Sequence, residues 1–138
     1  MPGVVISKLV IIGVGLIGGS FALALRKANR VAHIVGVGRS RENLQRALLA
    51  GAIDEIAEDL SSALTHADLV FLAIPVGQTG VIMAQISPYL EPGTIVTDAG
   101  STKQDVVAAA RSHLARHLEN FVPGHPIAGA ELSGVGGA

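Results

Sequence analysis

The chain has 138 residues, a usual size for one globular domain, with 49% hydrophobic residues and a net charge of −1. That balance argues against nucleic-acid and membrane-surface partners, and the lack of cysteine excludes disulfides, thiolate catalysis and cysteine-held metals. The N-terminus has no basic stretch or cleavage site of a secretory leader, and the long apolar segment at 9–25 is broken by glycines and a serine, so a cytoplasmic protein rather than a membrane protein is expected.

Short apolar runs alternate with helical patterns along the chain. Residues 8–12 read as a strand, and 15–27 carry apolar residues at helical spacing. A second strand is expected at 34–37 and a second helix at 40–50, capped by Ser40. Residues 54–56 read as a short third strand and 69–74 as a buried one closed by Pro75. A helix over 77–90 is broken by Pro88 near its end. The turn Glu91-Pro92-Gly93 leads into a strand at 94–97, followed by a helix at 103–118 and a last short strand at 120–122. His33 and His66 precede strands and read as surface residues; His113 and His117 lie four apart on one helix but lack a third metal ligand. This alternation predicts an α/β fold with a doubly wound parallel sheet and right-handed crossovers. Residues 1–138 then form one domain, and the glycine-rich tail from Gly124 reads as a domain truncated at its C-terminal end.

Gly13-Val14-Gly15-Leu16-Ile17-Gly18 follows the first strand and opens the first helix. In that context Gly-x-Gly-x-x-Gly is the dinucleotide fingerprint of the Rossmann NAD(P)-binding fold. Gly13 permits the tight turn, Gly15 lets the backbone approach a diphosphate, and Gly18 lets helix and strand pack closely. The diphosphate sits on the helix N-terminus, where unpaired N–H groups and the helix dipole favour an anion. An acidic residue about 20 positions on normally binds the adenosine 2′-hydroxyl. Here Gly38-Arg39-Ser40-Arg41 stands in its place, and Glu42 is the first acidic residue of the chain. Arginine pairs with phosphate, so Arg39, Ser40 and Arg41 point to NADP, with NAD possible. The plainer reading is that Ser40 only caps a helix and the arginines are solvated.

Three further segments fall where a doubly wound sheet places its chemistry, at the carboxyl ends of strands. They are Ala73-Ile74-Pro75-Val76, Asp98-Ala99-Gly100-Ser101-Thr102-Lys103, and Gly124-His125-Pro126-Ile127-Ala128-Gly129. His125 is the natural general base, and Pro126 restrains it toward an extended backbone. Ser101 forms a capping-box pattern with Gln104, a role that can coexist with a catalytic one. Lys103 in a first helical turn opposes the dipole, which favours a role in holding an anion.

The glycine motif running on to Gly19-Ser20, together with Asp98 to Lys103 and Gly124 to Glu131, resembles the prephenate/arogenate (cyclohexadienyl) dehydrogenase family over essentially the whole chain. The second and third motifs carry most of that specificity. Ala99 departs from the valine usual in the family, and Leu132 stands where a basic or polar residue is common. The resemblance implies NAD(P)-dependent oxidative decarboxylation of prephenate or arogenate in tyrosine biosynthesis. Carried over, His125 polarises the substrate hydroxyl and Ser101 contacts that hydroxyl, the nicotinamide or His125. Ala73, Ile74 and Pro75 line the cofactor between ribose and nicotinamide. The family also has a helical domain that forms a homodimer and supplies substrate contacts; without it, this chain is expected to bind dinucleotide and turn over poorly or not at all. The alternatives are a β-hydroxyacid dehydrogenase of the 6-phosphogluconate type, which the Gly124-His125-Pro126 motif disfavours, and a non-catalytic nucleotide sensor.

Overall fold

The computed structural model describes residues 6–13, 15–98, 114 and 121–122. In chain order the elements are β1 (Ile6–Ile12), α1 (Leu16–Lys27), β2 (Val31–Val37), α2 (Arg41–Leu49), β3 (Glu55–Ile56), α3 (Leu60–Leu64), β4 (Leu69–Leu72), α4 (Val76–Ile86), β5 (Ile95–Asp98) and β6 (Phe121–Val122). A 3-10 turn, Ser87–Tyr89, follows α4 and contains Pro88, where the sequence predicts the helix to break. Among the described residues six strands form one sheet in the order β3-β2-β1-β4-β5-β6, and every pairing is parallel. This is the doubly wound order in which the chain reverses direction of travel at β1 and β4.

Both faces of the sheet are covered, so its strands are apolar on both sides. Val10, Ile12, Val70, Leu72 and Val96 point into a cluster with Leu64 of α3 and Met83 and Ile86 of α4. Leu9, Ile11, Ile34 and Phe71 point the other way, against Ala22 of α1 and Leu44 of α2. Phe21 of α1 stacks on Phe71, with ring centroids 4.0 Å apart and planes 10° from parallel. Such a pair adds about 0.5–1.5 kcal/mol beyond its burial and fixes α1 across the sheet. The period of two along β1 and β4 thus decides which helix pair each residue meets.

The amino ends of the strands are tied by two carboxylates. Asp68 accepts hydrogen bonds from the backbone N–H groups of Ser7 (2.8 Å) and Lys8 (3.0 Å). Asp54 accepts from the Ile34 N–H (2.8 Å) and from the Arg26 guanidinium (2.9 Å), joining β2 to α1. Burial alone would raise the Asp54 pKa, but these bonds and the charges of Arg26 and His33 hold it below the usual carboxylate range.

Three of the differences from the sequence reading bear on the packing and the site. β2 begins at Val31, so His33 lies within the strand rather than before it. Its Nε2 sits 2.6 Å from Glu55 of the neighbouring β3, which lets a polar residue occupy a half-exposed strand position. β4 ends at Leu72, leaving Ala73 and Ile74 outside the sheet. The crossover between β3 and β4 contains the five-residue helix α3, which carries no readable periodicity; the Asp59 carboxylate caps it by accepting from the Ser62 N–H at 2.7 Å.

Candidate functional site

Parallel registry brings the carboxyl ends of the strands level: Ile12 is opposite Val37 on one side and Leu72 on the other, and Leu72 is opposite Asp98. β1 then turns sharply. The Gly13 N–H donates to the Val37 carbonyl at 2.7 Å, and the Ala73 N–H donates to the Ile12 carbonyl at 2.8 Å. Gly13 has a φ of +92°, a backbone conformation that side-chain-bearing residues rarely adopt. A Cβ there would also run into the Ala73 carbonyl oxygen and lie 2.7 Å from Ile74 Cγ2. At Gly18 a Cβ would lie 2.7 Å from the Gly13 carbonyl oxygen, so that glycine sets how closely α1 approaches the turn. Among the described residues a Cβ at Gly15 would meet nothing within 4 Å. The protein's own packing does not demand glycine at Gly15; its bare backbone leaves the start of α1 open to another molecule.

The polarity of that opening follows from the helix ends. Gly15 is the N-cap of α1 and offers no side-chain cap; no acidic residue lies in the first turn, while Arg26 and Lys27 lie in the last. α4 likewise starts after Pro75 without a side-chain cap or an acidic first turn. Free first-turn N–H groups and the positive end of the dipole make such a terminus attractive to an anion. α2 differs: Ser40 Oγ accepts from the Asn43 N–H at 3.2 Å, as the capping reading of Ser40 requires. The hydroxyl hydrogen remains free to donate elsewhere.

A cleft of about 500 Å³ lies over these ends. One wall is the glycine turn with Ala73, Ile74 and Pro75; the end of β2 and the start of α2 supply Gly38, Arg39, Ser40 and Asn43. The far wall is one face of α4, formed by Gln78, Val81, Ile82 and Gln85. Arg39 is the one charged side chain among the described residues that line the cleft. Glu42, the nearest acid in sequence, is paired instead with Arg46, one helical turn on, at 2.8 Å.

Of the residues singled out in the sequence, Gly13, Gly15, Arg39, Ser40, Ala73, Ile74 and Pro75 line this one cleft. Gly18 packs beneath the turn. Leu16 and Ile17 open α1, and their side chains lie outside the described set. Arg41 is exposed at the start of α2 and does not line the cleft. Ser101, Lys103, His113, His117 and His125 lie outside the described residues. The α4 face was not singled out in the sequence. Its signal is the spacing Gln78, Val81, Ile82, Gln85, a helical stripe in which two glutamines pass for a solvent face. Among the described residues no helix is long and apolar enough to cross a membrane.

Residues 21–138 match the family described as the nucleotide-binding domain of prephenate dehydrogenase. The chain belongs to that family. Consistent with this membership, it is 40% identical over 131 residues to the prephenate dehydrogenase of Bacillus subtilis, covering 94% of this chain and 35% of that one. It superposes on the Aquifex aeolicus prephenate dehydrogenase in complex with hydroxyphenyl propionate and NAD+ with a TM-score of 0.79 at 34% identity, covering 88% of this chain and 42% of that one. The Synechocystis arogenate dehydrogenase gives a TM-score of 0.74 at 31% identity over 86% of this chain and 40% of its own. The chain therefore spans about two fifths or less of each of these prephenate and arogenate dehydrogenases.

Proposed function

We propose that this chain is the NAD(P)-binding part of an oxidoreductase that converts prephenate or arogenate by oxidative decarboxylation. The observation that carries this reading is the uncapped start of α1 at Gly15, opening where the strand order reverses on a cleft that no acidic side chain lines among the described residues. A dinucleotide diphosphate fits that donor set by charge and hydrogen bonding. The first-turn N–H groups of α1 hold the diphosphate, and Ala73, Ile74 and Pro75 flank the path from ribose to nicotinamide. When bound, the dinucleotide supplies a hydride acceptor at its nicotinamide ring.

His125 and Ser101 follow the last two strands in sequence. In this proposal His125 takes a hydrogen bond from the substrate hydroxyl, so the oxygen gains charge as hydride leaves the carbon that bears it. Ser101 steadies that hydroxyl or the His125 ring. Loss of carbon dioxide and aromatisation make the overall conversion irreversible. The chain covers about two fifths of these relatives, so dinucleotide binding rather than turnover is the activity expected of its 138 residues alone.

For the cofactor we propose NADP in preference to NAD. Gly38 occupies the place of the usual acid, Arg39 faces the cleft, and Glu42 is engaged by Arg46. Use of NAD has support from the Aquifex aeolicus relative, which holds NAD+. Parallel titration with NADP and NAD decides between them. A preference for NAD of about tenfold, worth about 1.4 kcal/mol, would overturn the proposal.

A further inference from the structure

We infer that Asn43 is a specificity-determining residue, whose side-chain amide donates a hydrogen bond to a phosphomonoester on the adenosine ribose of the bound dinucleotide. The inference rests on the NADP reading above and adds a residue that no motif singles out. Asn43 lines the cleft beside Arg39 and Ser40. It is the third residue of α2, and its backbone N–H is already spent on Ser40 Oγ. Among the described residues its carboxamide makes no hydrogen bond. The competing account is a capping-box role, in which a side chain at this position reaches back to the N-cap backbone. The asparagine side chain is one methylene shorter than the glutamate or glutamine that serves there, and among the described residues no such bond forms from Ser40.

The chemistry of the corner favours a dianion over a hydroxyl. Arg39 supplies charge, the Ser40 hydroxyl hydrogen is free to donate, and the Asn43 amide adds a planar donor pair. A ribose hydroxyl is best held by a carboxylate acceptor, and no carboxylate lines the cleft among the described residues.

The test measures dissociation constants for NADP, NAD and 2′,5′-ADP by calorimetry on the unaltered protein and on Asn43→Ala and Asn43→Asp. Both substitutions retain the backbone N–H that Ser40 accepts, so the α2 cap survives, and circular dichroism with thermal melting checks that it does. Asn43→Ala is expected to weaken NADP and 2′,5′-ADP about fivefold or more and to leave NAD within twofold. Asn43→Asp is expected to weaken the two phosphomonoesters further than alanine does, without weakening NAD. Equal losses for NADP and NAD, or no loss for either, in a protein that prefers NADP would overturn the role of Asn43 alone. A preference of the unaltered protein for NAD would instead overturn the cofactor reading beneath it.

Discussion

Gly13 and Gly15 sit two positions apart in one turn, yet an added methyl group would meet opposite surroundings. At Gly13 it meets backbone and a positive φ; at Gly15 it meets nothing among the described residues. Gly13→Ala should therefore cost about 2–4 kcal/mol of stability, read as a lowered urea midpoint, from strain together with overpacking. Gly15→Ala should leave that midpoint within about 0.5 kcal/mol while weakening dinucleotide binding at least tenfold, because its bulk falls where the diphosphate is proposed to lie. A large loss of stability at Gly15 would show that the turn is shaped by packing alone. The ion pairs make a second residue-scale expectation. The Asp54 pKa is depressed in the folded chain, so its contribution is present above the ordinary value of 3.8 and fades as pH falls through the lower folded value. Asp54→Asn should lose stability at pH 6 and show a shallower decline below pH 4 than the parent in urea titrations.

α1 and α2 end in the same way, although only one of them ends in glycine. After α2, Gly51 takes a φ of +80°, its N–H donates to the Leu48 carbonyl at 3.2 Å, and the Ala52 N–H donates to Ala47 at 2.9 Å. After α1, Asn29 takes a φ of +63°, with the same pair of bonds from Asn29 to Arg26 and from Arg30 to Leu25, both 3.0 Å. Both are Schellman closures, and asparagine is the side-chain-bearing residue that tolerates them best. Asn29→Val should cost about 1–2 kcal/mol in chemical unfolding, whereas Asn29→Gly should be near neutral. Helices of this length were legible in the sequence because two or more turns of apolar spacing identify them. α3 was not, because five residues span barely more than one turn. The early start of β2 was hidden for a different reason: His33 looks like a loop residue until Glu55 is placed beside it by a strand far along the chain.

For the molecule as a whole, the parallel sheet follows from alternation of strand and helix, and the site follows from the sheet. Once β1 and β4 are neighbours, Gly13 and Ala73 must meet at the same edge, although 60 positions separate them. The glycine motif, Arg39 to Ser40 and Ala73 to Pro75 were legible as separate fragments, and adjacency of the strands makes them one cleft. The α4 wall was not legible, because only the packed fold shows which side of that helix faces the cleft. Gly38→Asp tests the cleft as a unit. A carboxylate at the end of β2 should shift the preference toward NAD by about tenfold or more in paired titrations, with little change in stability. No shift would place the adenosine ribose away from β2.

β3 has a further consequence. Among the described residues it is an edge strand of only two residues, and the exposed Glu55 is one of them. An edge of that length offers almost no free backbone ladder to a neighbouring chain, and its charge resists close approach. Five apolar strands of this sheet are thereby shielded on that side from adding a foreign strand. The protein can carry a core this hydrophobic and still resist growing into aggregates from that edge.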